Sequence, residues 1–225
     1  MRGFPRYGSG FGNPANAAMA AVTVFALCSG AWLLRDGAET HAPPQPSAAQ
    51  ARAGQDGRTG QAGRAGERRD VPALPPSPPD RIRIPAIRVN APLTGLGLTR
   101  TGSLDVPPAE RKNLAGWYQA GTTPGERGTA IVAGHVDNAD GPAVFYRLGS
   151  LAKGHTIEVD RRDGSVAVFT VDAVEVYAAK GFPDDKVYGA ARRPELRVIT
   201  CGGGYSRGTG YQGNVVVFAH LTGSR

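Results

Sequence analysis

Two cysteines occur in the chain, in very different company. Cys28 lies within an uncharged apolar run and reads as a small apolar residue. Cys201 ends the apolar run Leu196-Arg-Val-Ile-Thr-Cys201 and is followed at once by Gly202-Gly203-Gly204. A strand end fixes the sulfur, and the glycines behind it are expected to leave backbone room for a substrate. A free thiol, with a pKa of about 8.5, is mostly protonated at neutral pH, so a nucleophilic Cys201 needs a cation or a histidine beside it. His135 is the natural partner. It follows the apolar strand Thr129-Ala-Ile-Val-Ala-Gly134 where that strand opens into a loop. As imidazolium it could hold a thiolate and then protonate an amine leaving group. His155 begins an amphipathic strand and His220 ends one, so both read as structural, and His41 lies in a low-complexity stretch. No carboxylate is as well placed, which gives a Cys/His pair rather than a triad. The competing readings are a buried inert thiol and a satisfied histidine.

Composition excludes several alternatives. Two cysteines among 225 residues rule out a disulfide-stapled scaffold and a cysteine-rich zinc site. Asp137, Asp140 and Asp184-Asp185 read as turn and helix-cap residues, so neither a metal nor a cofactor is implied. The net charge of +7 does not argue for nucleic acid, because the arginines at 52, 58, 64, 68 and 69 alternate with acids.

The elements that must position the pair occupy the last two thirds of the chain. Residues 1–14 are polar and basic and read as a cytoplasmic N-terminus. Residues 15–34 carry no charge; at about 1.5 Å per residue they would span roughly 30 Å, one bilayer core, and so read as a transmembrane anchor, with a cleaved signal peptide as the rival. Residues 35–80 hold many prolines and glycines, no aromatic, and only Val71 and Leu74 as large aliphatics, so they read as a disordered linker. Residues 81–225 read as the folded unit. Short β-like runs recur there, at Arg81–Val89, Ser103–Val106, Thr129–Val136, His155–Asp160, Ser165–Tyr177, Glu195–Cys201 and Gly213–Leu221. Helical signal is thin: a short helix within Val144–Leu151 and one turn at Pro183–Tyr188. Seven or eight strands with little helix predict a mainly β fold, a closed barrel or a sandwich.

Val198-Ile199-Thr200-Cys201 resembles the nucleophile motif of sortases, Thr-Leu-x-Thr-Cys, with Arg197 where the first Thr is usual. Gly134-His135 resembles the sortase histidine motif, and Ala115-Gly-Trp-Tyr118 also fits the family. The order of anchor, linker, His, Cys and last strand agrees. Thr200-Cys-Gly-Gly-Gly-Tyr205 and Asn214-Val-Val-Val-Phe-Ala219 look most like the actinobacterial class E/F branch, particularly class F. The resemblance implies a closed sortase-like β-barrel of about eight strands. It also implies a membrane-anchored extracellular cysteine transpeptidase that needs no cofactor. Cys201 would cleave an LPxTG-like sorting signal through a thioester, and a cell-wall precursor amine would resolve it. The family's third residue is an arginine at the head of the last strand. Asn214 stands there, and Arg207 is the only arginine between Cys201 and Arg225, so either could serve the oxyanion, with Arg197 a further possibility if it points into the groove.

Two alternatives remain at this point. A non-enzymatic, membrane-tethered β-domain for wall binding or assembly would make Cys201 and His135 incidental. An L,D-type wall transpeptidase is disfavoured, since the residues around Cys201 do not match its motif. Ala91-Pro-Leu-Thr-Gly95 mimics a sorting signal, but it lies between two predicted strands and is attributed to chance.

Overall fold

The computed structural model describes residues 42–47, 71–206, 208 and 210–225. The segments read from sequence as a cytoplasmic N-terminus (1–14) and a transmembrane anchor (15–34), most of the expected linker and Arg207 lie outside the described residues. Among the described residues, no helix is long and apolar enough to cross a membrane.

Eight strands close a barrel. In chain order, β1 is Pro79–Ile84, β2 Val89–Leu96, β3 Ala115–Tyr118 and β4 Gly128–Gly134. Asp137–Asn138 and Gly141–Pro142 (β5 and β6) form a small separate hairpin. Then follow β7 Thr156–Arg161, β8 Val166–Ala178, β9 Pro194–Ser206 and β10 Gly210–Ser224. Around the barrel the order is β1-β2-β3-β4-β9-β10-β8-β7, and β7 pairs with β1 to close it. Two neighbouring pairs, β2–β3 and β4–β9, run parallel. Among the described residues the one α-helix, α1, is Asp184–Tyr188, with both of its acids in the first turn, where the helix dipole favours them.

Strand alternation builds two separate apolar clusters. In β7 every second residue is buried, the pattern of a strand with one face on a core. In β4 all seven residues are buried, because something covers both faces. Ala130, Val132, Leu196, Val198, Val215 and Val217 fill the barrel interior with Phe145 and Phe169. Ile131, Ile199, Val216 and Phe218 point outward and are covered by Val187 of α1, with Leu104, Tyr118 and Phe182 packed alongside.

Several expectations from the sequence are corrected. The run Arg81–Val89 is not one strand, because Pro85 cannot continue the ladder. Pro85–Ile87 form a 3-10 turn, Arg88 takes φ 60°, and the chain reverses into β2. Ala91–Gly95 therefore lies inside β2, paired with β1 on one side and β3 on the other, rather than between strands. Ser103–Val106 forms no strand; Leu104 makes only an isolated bridge to Leu98. Of Val144–Leu151, only Leu148–Ser150 is helical, as a 3-10 turn. The glycines after Cys201 do not open a loop, since they continue β9 as far as Ser206.

Packed chain also reaches back past Arg81. Val71 and Leu74, the two large aliphatics of the linker, rest on the barrel core. The Leu74 amide donates to the Gly125 carbonyl (2.8 Å), and the Ser77 amide donates to the Thr123 hydroxyl (3.1 Å). Pro43 is buried as well. A Cβ on Gly149 would collide with the Pro44 carbonyl, so that position requires glycine.

Candidate active site

β4 and β9 are parallel neighbours with Ile131 opposite Arg197 and Ala133 opposite Ile199. Two residues further along come His135, just past the end of β4, and Cys201, within β9, so the two chemically capable residues stand at the same level on neighbouring strands. Alternation sets Cys201 on the outer face with Ile199 and Arg197, away from Leu196 and Val198 inside. The Thr200 hydroxyl donates to the Gly134 carbonyl (2.8 Å), tying together the residues that immediately precede the pair. On the other side of β9, the antiparallel register puts Asn214 directly opposite Cys201. The sequence left Asn214 and Arg207 as competing partners. Asn214 is beside the nucleophile, while Arg207 lies outside the described residues. Arg197 points outward too, but it is engaged elsewhere: Glu195 takes one of its N–H groups at 2.7 Å, and its guanidinium stacks 4.6 Å from the Phe218 ring centre.

The histidine is held by its environment. His135 Nε2 is 2.7 Å from the Pro107 carbonyl oxygen. A carbonyl only accepts, so Nε2 carries the hydrogen and donates, and Nδ1 is the ring atom left to exchange a proton. The His135 carbonyl accepts from the Phe145 amide (3.0 Å), which pins the start of the loop. His155 and His220 are structural, as their sequence contexts suggested. Nδ1 of His155 accepts from the Ala152 amide (3.1 Å), and His220 pairs with Asp172 (2.8 Å).

Cys201 is exposed. Desolvation of its sulfur and the negative charge of Asp137 push its thiol up, so the resting sulfur is protonated at neutral pH. Asp137 was read from sequence as a turn residue, and that reading missed its reach. Its carboxylate accepts a hydrogen bond from the Tyr211 hydroxyl on β10. Burial and the same carboxylate push the Tyr211 phenol far up. Its ring lies 5.1 Å from that of Tyr205. The position of Asp137, two residues after His135, was the available signal.

The glycines beyond Cys201 serve packing more than access. A Cβ on Gly202 would strike Val215, and Gly203 takes φ +78°. The Gly203 amide donates to the Gln45 side-chain oxygen (3.3 Å), so residues of the segment 43–47 border the nucleophile's strand.

On the outer face, between α1 and the loop after β2, is a cavity of about 810 Å³, lined by Leu104, Tyr118, Ile131, Asp184 and Tyr188 among others. Ile131 precedes His135 by four residues on β4. At about 3.3 Å per residue, the cavity lies roughly 13 Å along the strand from the Cys/His level.

The Sortase domain profile matches residues 82–222. The chain belongs to the sortase family. Sortases are cysteine transpeptidases, and this sortase is one of them. Among solved structures, SrtA sortase from Actinomyces oris is 18% identical over 70% of this chain and 89% of that one, with a TM-score of 0.51, which shows the shared fold. Listeria monocytogenes sortase A is 16% identical over 64% of this chain and 87% of that chain, with a TM-score of 0.48. A Clostridium perfringens Sortase D5 transpeptidase is 21% identical over 64% and 78%, with a TM-score of 0.46. No curated protein matches the chain. The closed eight-stranded barrel expected for this sortase is the fold observed.

Proposed function

We propose that this sortase is a class F-like, membrane-anchored enzyme that cleaves an LPxTG-like sorting signal outside the cell and joins the acyl part to a cell-wall amine. Residues 15–34 form the anchor, and the barrel stands on the extracellular side. The observation that carries the reading is the shared register of Cys201, His135 and Asn214 across β4, β9 and β10.

The chemistry follows from those three positions. His135 Nδ1 takes the thiol proton as Cys201 sulfur attacks the carbonyl carbon of the signal's Thr–Gly bond. The carbonyl π pair moves to oxygen, and Asn214 or Arg207 donates a hydrogen bond to that oxyanion. As the carbonyl re-forms, the C–N bond breaks and its electron pair stays on nitrogen. Imidazolium His135 protonates that nitrogen, so glycine leaves as a neutral amine and a Cys201 thioester remains. The acceptor amine then attacks the thioester and gives its proton to Nδ1, the new amide forms, and the thiolate is released. Desolvation of the sulfur and the Asp137 charge oppose a free thiolate, which favours proton transfer to His135 as the attack proceeds. The outer-face cavity takes the substrate side chains that precede the scissile bond, at the ~13 Å reach of an extended peptide.

The test is incubation of the full chain with a panel of LPxTG-like peptides, followed by mass spectrometry. The reading expects an acyl adduct on the peptide that contains Cys201, its loss in Cys201→Ala, and its release on adding an amine. Cleavage with no adduct on Cys201, or undiminished cleavage by Cys201→Ala, overturns it.

A further inference from the structure

A second site lies at the far end of the strand that carries the nucleophile. A cavity of about 560 Å³ is framed by Arg127, Lys186, Arg192, Arg193 and Arg197. Its lining acids are Asp185, exposed at the start of α1, and Glu195, which leaves a net charge of +3. Arg197 precedes Cys201 by four residues on the same face, about 13 Å away along the strand, so this site is separate from the acyl-transfer residues.

Internal pairing absorbs only part of that charge. Glu195 accepts from Arg193 Nε (3.0 Å) and Arg197 Nη2 (2.7 Å). Asp172, itself bonded to His220, is 3.7 Å from Arg193, and Glu175 holds Lys186 at 2.6 Å. Arg127 and Arg192 are exposed and make no ion pair among the described residues. Arg197 is only 6% exposed, yet its buried Nε has no hydrogen-bond partner. A buried guanidinium N–H without an acceptor is costly and leaves the Arg197 charge incompletely compensated at the cavity wall.

The type of ligand follows from the donors. A single carboxylate satisfies one guanidinium fork, and Glu195 already supplies one. Several arginine forks lining one cavity match the multiple acceptor oxygens of a phosphoryl group. We infer that the cavity framed by Arg127, Arg192 and Arg197 binds a phosphate-bearing anion, with the two exposed arginines as its donors and the Arg197 charge at its wall. Lys186, Arg192 and Arg193 belong to α1 and the loop that leads into β9, the same stretch that covers the outer apolar cluster.

Binding is read directly, by calorimetric titration of the full chain in detergent at low salt, so the result does not depend on transpeptidation. One arm uses inorganic pyrophosphate and the other a short glycerol-phosphate phosphodiester oligomer; the tighter arm identifies a free phosphate or a polymer as the source. The proposal expects saturable binding in at least one arm, weakened about tenfold or more in the double variant Arg127→Ala/Arg192→Ala. Those two side chains are exposed, so their loss leaves the fold intact. No saturable binding in either arm, or binding that the double variant leaves unchanged, overturns the proposal.

Discussion

The two faces of one sheet, β4–β9–β10, divide the work of this molecule. The inner face is mainly apolar: Ala130 and Val132, Leu196 and Val198, Val215 and Val217 all pack into the barrel. The outer face of the same strands carries Cys201, Asn214 and Arg197 among Ile131, Ile199, Val216 and Phe218. Because side chains alternate, neighbouring residues belong to opposite duties, and a one-residue slip would exchange them. The inner face therefore does two jobs: it holds the fold together, and by fixing the register it sets where the outer residues stand. Thr200 joins the two faces, since it is buried and its hydroxyl bonds the chain just before His135.

Substitutions on each face should separate accordingly. The largest effect is expected from Cys201→Ala, an exposed position, where transpeptidation falls at least a thousandfold while the melting temperature hardly moves. Measuring both on one preparation checks the division; a large loss of melting temperature would show that Cys201 belongs to the core. Leu196→Ala, fully buried inside, should lose about 2–5 kcal/mol of stability in urea unfolding, with the remaining folded enzyme still reactive at Cys201. Unchanged unfolding there would mean that the inner face does not carry the barrel. Thr200→Val removes one buried hydrogen bond but keeps the volume, at about 1 kcal/mol of stability. Its turnover is expected to drop further than that loss explains, since the relative placement of Gly134 and Cys201 loosens. Turnover that stays at the parent level would detach Thr200 from the site. The smallest effect is Asp137→Asn. The carboxylate disfavours the nearby thiolate, so its neutralisation lowers the thiol pKa and moves the pH profile of Cys201 alkylation toward lower pH. A profile that shifts upward, or not at all, contradicts the charge assigned to Asp137.

The sequence was most legible where apolar runs ended in a chemically distinctive residue. Cys201 and His135 stood out because each follows a run rich in Val, Ile and Ala, whereas the parallel register that joins those runs is seen only in the structure. The turn of helix at Asp184–Tyr188 was legible from its paired acids after Pro183. Other features depended on tertiary contact. Pro85 marked a break inside Arg81–Val89, but only the pairing of β1 with both β2 and β7 shows that the chain reverses there. The glycines after Cys201 looked like a loop because glycine tolerates any backbone; the close approach of Val215 is what requires Gly202. Val71 and Leu74 stood out as the sole large aliphatics of the expected linker, but only the structure shows that they rest on the barrel core. Asp137 was hidden because its partner Tyr211 is 74 positions away.

The central claim is that Cys201 within β9 and His135 at the end of β4 stand side by side on one face. Adjacent strand positions are about 5 Å apart, within the span that a disulfide bridges. Mild oxidation of the His135→Cys variant, followed by peptide mapping, tests it directly. The account predicts an intramolecular disulfide between positions 135 and 201 in monomeric protein. Two free thiols at those positions after oxidation, or bridges formed only between molecules, would contradict it.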